Sequence, residues 1–426
     1  MKTTRRSFIK SMAATGLTLS VAPIRGFGQP APIRIGHQAP LTGFLAGFGF
    51  WHNEAIKAAI DRVNSTGGAN GRNLELTTTD TTSNANVAAD VLQEDLLGGP
   101  LFEDPVDFVI GTVLSDSNIL SAPLIEESRT VYFPQGVATP ITGFLGNRWL
   151  FKSYHTAQGA IEAGWRWALD NLGRRWTIIH AEIAFAQAQA EAWAAKLEEV
   201  TATVVDTIPV PFDPTSPPEF SQFLNLIDRD ASDGVYHAFT ARDTVAFLQQ
   251  ATEFGLKDDV SLLSIIEGID ILDVNSSAFD NTYYITSYPR SASQVPANLQ
   301  SFDDNFRQAV GIGPDGKALS DPSQVVPVAD LFGSWQAIHL IQQIVNQTGW
   351  QSRDDHPSFI QALEGFLYDA SFEFPQGSGF IRADDHQAFH PHYIEQVVSG
   401  SLVVQSEIPQ ENSFYVPTVD CRDEPL

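Results

Sequence analysis

Residues 33–76 read IRIGHQAPLTGFLAGFGFWHNEAIKAAIDRVNSTGGANGRNLEL, and their pattern decides the architecture. Ile33-Arg34-Ile35-Gly36 has the short, β-branched character of a strand. The following segment places Ala55, Ile56, Ala59, Ile60 and Val63 on one helical face. Gly67-Gly68 stops that helix, and Asn70-Gly71 is a turn leading into a second strand at Leu74-Glu75-Leu76. The unit is therefore strand, helix, strand, the building block of a parallel sheet.

The rhythm continues outward. A helix is expected over 86–97, a strand over 106–110, a helix over 117–127 and a strand over 130–133. It restarts beyond residue 155, with helices over 160–172, 187–200 and 242–254 and strands over 176–179, 203–207, 234–238 and 261–265. Two successive α/β series imply two similar lobes. Helices over 298–310 and 328–346 follow, the second with Leu331, Trp335, Ile338, Ile341 and Val345 at helical spacing.

The chain has 426 residues, enough for two or three domains, and a composition of 43% hydrophobic and 18% charged residues suits full-sized cores. Fifty-one acidic residues face 25 basic ones, a net charge of −26. Such a surface repels nucleic acid and anionic headgroups, so neither is an expected partner. No stretch reaches the roughly 18 consecutive apolar residues of a transmembrane helix, so no direct membrane insertion is expected. The single cysteine, Cys421, excludes an intrachain disulfide and a cysteine-based metal cluster.

The first 28 residues hold five basic and no acidic residues. Thr4-Arg5-Arg6-Ser7-Phe8-Ile9-Lys10, followed by the mildly apolar run from Met12 to Ala22, has the layout of a secretory signal of the twin-arginine type. Residues 1–28 are read as that signal, which gives a periplasmic location.

Motifs of common chemistry are missing: no GxxxxGK[ST], HExxH, GxSxG or CxxC. Gly311-Ile312-Gly313-Pro314-Asp315-Gly316 fits GxGxxG, but Pro314-Asp315-Gly316 reads as a surface turn rather than a strand-to-helix junction. Asp384-Asp385-His386 with His390 and His392 has no zinc-site spacing and reads as a polar loop. No cofactor and no metal are expected, and the chain is not read as an enzyme.

Several stretches in fixed order resemble the leucine/isoleucine/valine-type (type 1) periplasmic solute-binding proteins. They are Ile35-Gly36 with Pro40-Leu41-Thr42-Gly43, Ala58 to Asn64, Gly67 to Arg72, Asp80-Thr81-Thr82-Ser83, and Val109-Ile110-Gly111 with Ser115 and Ser117. ATEFGLK at 251–257 and IRADDHQ at 381–387 continue the likeness, the latter typical of a branch linked to aromatic or other non-standard ligands. The resemblance spans roughly residues 33 to 400.

The resemblance implies two doubly wound α/β lobes joined by three crossovers, near Ser153, Tyr288 and Phe372, that close as a hinge over a small ligand. Lobe 1 then comprises 33–153 and 289–371, lobe 2 comprises 154–288 and 372–410, and 411–426 form a tail. It also implies a monomer that delivers an amino-acid-like or aromatic carboxylate ligand to an ABC permease and its ATPase.

Carried over by position, lobe 1 offers Phe48 as an aromatic wall, Ser115 and Ser117 as hydroxyl donors, and Gly136, Val137 and Thr139 in a backbone-donating loop. Lobe 2 offers Phe185, Thr240 and Glu267, the last placed to meet a ligand ammonium. Val137 stands where amino-acid binders keep threonine, and Phe185 where many keep tyrosine, which makes the site drier. Phe48 and Phe185 read alternatively as core aromatics, Ser115 and Ser117 as helix caps, and Glu267 as a solvated carboxylate. Two other functions share these features: a sensor acting on a membrane signalling partner, and a hydrolase with dispersed catalytic residues.

Overall fold

A computed structural model describes residues 31–98, 104–265 and 277–426. The first sheet contains β1 (Ile33–Ala39), β2 (Leu74–Asp80), β3 (Phe108–Gly111) and β4 (Val131–Phe133), all parallel, in the order β2-β1-β3-β4. Between them run α1 (Ala46–Ser65), α2 (Ala85–Val91) and α3 (Ser115–Ser128). Every residue of β3 and β4 is buried, as continuous apolar strands of a parallel sheet covered on both faces must be. Ala55, Ile56, Ala59, Ile60 and Val63 of α1 are all buried, and each large aliphatic side chain so placed contributes about 1.5–3 kcal/mol.

The chain then builds the second lobe: α4 (Ala157–Asn171), β5 (Arg175–Ala181), α5 (Ala184–Glu199), β6 (Thr203–Val210), α6 (Ser221–Leu224), β7 (Gly234–Ala238), α7 (Ala241–Glu253), β8 (Ser261–Ser264) and β9 (Thr282–Thr286). It returns to the first lobe for α8 (Gln300–Val310), α9 (Val328–Thr348) and α10 (His356–Leu363). A small antiparallel sheet, β10 (Leu367–Tyr368), β11 (Gly379–Ile381) and β12 (Ala388–Phe389), precedes the last passage into the second lobe. There β13 (His392–Val398) and β14 (Ser401–Ile408) add antiparallel to β9 and complete the order β14-β13-β9-β8-β7-β5-β6. The fold is the expected pair of α/β lobes, with a second sheet that is mixed rather than purely parallel.

The tail packs back on the chain passages between the lobes. Arg148 binds the Glu424 carboxylate through its backbone N–H at 2.9 Å, and Cys421 N–H donates to Asp384 O at 2.6 Å. The Cys421 thiol is buried, and desolvation pushes it up to about 12.

Two sequence features resolve into structural roles. Gly311, at φ 87°, is the left-handed cap that ends α8, and Gly316 N–H closes a turn onto Gly313 O at 3.0 Å. The Gly311–Gly316 stretch thus follows a helix instead of opening one. Asp384 is paired with Arg422, Asp385 with Arg382, and His390 Nε2 meets the Tyr368 hydroxyl at 2.7 Å. Among the described residues no group of histidine, cysteine and acid side chains is arranged to hold a metal ion.

Candidate functional site

In open α/β sheets the loops diverge where strand order reverses, leaving a crevice at the strands' carboxyl ends. Here the reversals fall between β1 and β3 in one lobe and between β5 and β7 in the other. The loops leaving those strands face one another across a narrow cleft, the place where small-molecule sites form in this architecture.

Phe44 and Leu45 after β1, Phe48 and His52 on α1, and Val113 and Leu114 after β3 form the first lobe's wall, with Gln135 and Val137 after β4. Ile183 and Phe185 after β5 and Thr240 after β7 form the second. Tyr154, from the passage between lobes, and Asp330, in the first turn of α9, complete it. The Phe44 and Phe212 rings meet edge to face at 5.1 Å, and Asp116 of α3 accepts from Ala184 N–H at 3.4 Å. These contacts bring the lips of the two lobes together.

Leu45, Leu114, Ile183 and Thr240 are the N-cap residues of α1, α3, α5 and α7, and none makes a side-chain capping bond. Four helix starts from both lobes therefore lie at the cleft; Asp116 and Asp243 stand in the first turns of α3 and α7, and Asp116 also accepts from Ala184 N–H at the start of α5. No lysine or arginine is among the described lining residues. Negative charge on a ligand would be met by backbone dipoles at the helix starts, away from Asp330, in a cleft whose remaining polar side chains are His52, Gln135, Tyr154 and Thr240.

Of the residues named from sequence, Phe48, Val137, Phe185 and Thr240 line the cleft. Ser115 and Ser117 are fully buried and do not. Ser115 Oγ accepts from Ala138 N–H at 3.2 Å, and Ser117 Oγ has no hydrogen-bond partner among the described residues. Neither serine caps α3. Gly136 donates its N–H to Asn118 Oδ1 at 2.8 Å, and its carbonyl accepts from Lys152 Nζ, so both backbone groups are engaged within the protein. A Cβ on Gly136 would lie 2.3 Å from Asn118 Oδ1 and 2.8 Å from Ser115 Cα, so only glycine permits this loop to rest on α3. Thr139 faces a separate surface hollow with Phe144 and Gln158, its Oγ1 accepting from Gln158 N–H at 3.2 Å. Glu267 lies outside the described residues.

Sequence reasoning missed His52, Tyr154, Ile183 and Asp330, and named Gln135 only as the first residue of the backbone-donating loop 135–139. His52 follows Phe48 by one helical turn and so shares its face, a signal that was available. Nothing local marks Asp330. Burial pushes His52 down to about 3, so its imidazole is neutral at pH 7. Behind the loop, desolvation lowers fully buried Lys152 to about 7.

The family model described as "Periplasmic binding protein" matches residues 32–401. "Leu/Ile/Val-binding protein homolog 2" of Brucella abortus is 27% identical over 198 residues, covering 45% of this chain and 50% of that relative. The matched region thus spans half of the relative's length. An amino acid ABC transporter substrate-binding protein from Pseudomonas fluorescens Pf-5 superposes with a TM-score of 0.72 at 22% identity, over 89% of this chain and 96% of that one. A solute binding protein of an ABC transporter from Rhodopseudomonas palustris BisB5, in complex with 3,4-dihydroxy benzoic acid, does so with a TM-score of 0.71 at 20% identity, over 89% and 98%.

Proposed function

Because the chain belongs to the periplasmic binding protein family, we propose that it is the solute receptor of an ABC importer, closing its two lobes over a small apolar or aromatic carboxylate. The observation that carries this reading is the cleft itself: largely apolar walls and helix starts contributed by both lobes, with no cationic side chain among the described lining residues. A ligand touching both walls supplies the free energy that favours the closed arrangement. The family binds its ligands rather than transforming them, and its members work in the periplasm. The Rhodopseudomonas protein with 3,4-dihydroxy benzoic acid and the Pseudomonas amino acid receptor bracket the chemistry of the ligand.

In this reading Phe48, Val137, Phe185 and Thr240 are ligand walls. Ser115, Gly136 and Asn118 act one layer behind, fixing the loops that present them. Glu267 is assigned to an amine, should the ligand carry one. A permease with its ATPase receives the ligand from the closed receptor.

The test is a thermal-shift screen of the exported protein against aromatic acids, amino acids and their amides. A ligand at 100 times its Kd adds about 2.7 kcal/mol of stability, so a hit among the carboxylates is expected. A response confined to amides or sugars would overturn the carboxylate assignment. For export, we propose the twin-arginine route: replacing Arg5 and Arg6 by lysine should hold the precursor in the cytoplasm, and normal periplasmic yield would refute it.

A further inference from the structure

Resting on the receptor reading, we infer that Phe212 is a gating residue: its ring latches onto Phe44 across the lips of the cleft and sets how long a captured ligand stays. The two rings meet edge to face with centroids 5.1 Å apart and an interplanar angle of 62°, inside the range where aromatic pairs attract beyond their buried area. Phe44 belongs to the first lobe and is part of the cleft wall. Phe212 belongs to the second lobe and is not among the described lining residues. Its contact is with the opposite lobe, outside the ligand wall.

Each ring is carried on a loop built to hold it. The stretch 211–220, PFDPTSPPEF, follows β6, and its prolines at 211, 214, 217 and 218 restrict its backbone. Asp213 Oδ1 accepts from the Thr215 N–H at 2.7 Å and from its hydroxyl at 2.6 Å. Arg242, in the first turn of α7, donates to Thr215 O at 2.8 Å and to Asp213 O at 3.0 Å. At the far end Phe220 is fully buried, its N–H donating to Gln250 Oε1 at 2.8 Å. On the first lobe Asp80 accepts from the N–H groups of Leu41 and Thr42 at 2.9 and 3.2 Å and from the Thr42 hydroxyl at 2.7 Å. Ser83 Oγ donates to Thr42 O at 2.8 Å and accepts from Leu45 N–H at 3.1 Å, so Phe44 stands between two anchored residues. With both loops ordered by their own lobes, bringing the rings together costs little further conformational entropy.

Both rings belong to the protein, so their attraction favours the closed arrangement whatever the cleft holds. Parting the lips wets the two facing surfaces and loses that attraction. A closing equilibrium shifted in this way lowers the apparent dissociation constant by the same factor and slows release. The other contact between the lips, Ala184 N–H to Asp116 Oδ1 at 3.4 Å, is long for a hydrogen bond. The ring pair is the stronger of the two.

The experiment compares the exported protein with Phe212→Ala, Phe212→Leu, Phe44→Ala and the Phe44→Ala/Phe212→Ala double variant. Small-angle X-ray scattering of each protein alone should give a larger radius of gyration for either alanine variant than for wild type. The double variant should be no larger than the singles. With benzoate and 3,4-dihydroxybenzoate as probes, Phe212→Ala should release the bound acid about two- to tenfold faster than wild type. Phe212→Leu keeps the loop packed without the ring and should fall between them, which covers the case of an alanine variant that does not fold. In the Phe44→Ala background the change at 212 should have no effect, because the partner ring is gone. Equal radii across the series, or an effect on release that persists without Phe44, overturn the latch. If neither probe binds wild type, the carboxylate reading fails, while the scattering series still decides the latch.

Discussion

Asn118 shows how much of a binding cleft rests on a residue that never touches the ligand. Fully buried, it donates through Nδ2 to Thr112 O at 2.9 Å and to the Tyr132 hydroxyl at 2.8 Å, and accepts Gly136 N–H at 2.8 Å. One carboxamide thus ties the loop after β3 to the loop after β4. Asn118→Ala leaves these groups buried and unmet, and should cost about 2–4 kcal/mol in denaturant unfolding while weakening ligand binding. Unchanged stability would mean that the loops hold each other without it. Phe48, Phe185 and Thr240 could be named from sequence because the resemblance to the family carries them over by position, onto the loops and first turns that follow β1, β5 and β7. Ser115 and Ser117 sit in the same kind of position, yet their hydroxyls point into the protein. Helical position gives the backbone its place but does not choose the direction a short polar side chain turns in the first turn.

Apart from the one-turn α6, helix and strand identities through α7 were readable because their apolar spacing is unambiguous, and α9 was readable from Leu331, Trp335, Ile338, Ile341 and Val345, all fully buried. β13 was not read. Its sequence carries His392, Glu395 and Gln396, and the buried Glu395 accepts Arg290 N–H at 3.1 Å, so polar letters hide an interior strand. α10 and the two- and three-residue strands of the small sheet are too short to show a period. α9 supplies a test. Glycine inside a helix is normally a loss of about 0.5–1 kcal/mol against alanine, so Gly333→Ala would ordinarily stabilise. Here the added methyl collides with the Gln135 carboxamide. The variant should melt lower and bind ligand more weakly, and a higher melting temperature would show that Gln135 moves aside freely.

The two-lobed molecule buries eight histidines whose imidazoles desolvation disfavours as cations. His52, His237, His356 and His390 are pushed down to about 3, His37, His339 and His392 to about 4, and His155 well below its ordinary value. In the unfolded chain each titrates near 6.5. Above that value neither state is charged. Below it the unfolded chain takes up protons that the folded one refuses, so stability falls as pH drops through 6.5 toward 4, by up to about 1.4 kcal/mol per pH unit for each group. Asp243, pushed up to about 6 by burial, works the other way, as do Asp107, Glu162 and Asp303, whose carboxyls burial also raises, but the imidazoles outnumber them. The melting temperature should therefore drop clearly between pH 7 and pH 5, and a flat profile would show that these imidazoles are solvated.

The two lobes, their mixed second sheet and the apolar cleft between them acquire meaning only if a small carboxylate is captured there and released unchanged. Calorimetric titration of the exported protein with an aromatic carboxylate from the thermal-shift screen, followed by recovery of the ligand, decides this. The expected result is saturable one-to-one binding with a negative heat-capacity change, as apolar burial requires, and a chemically unaltered ligand. Absence of saturable binding across aromatic and amino-acid carboxylates, or conversion of the ligand during the titration, would contradict it.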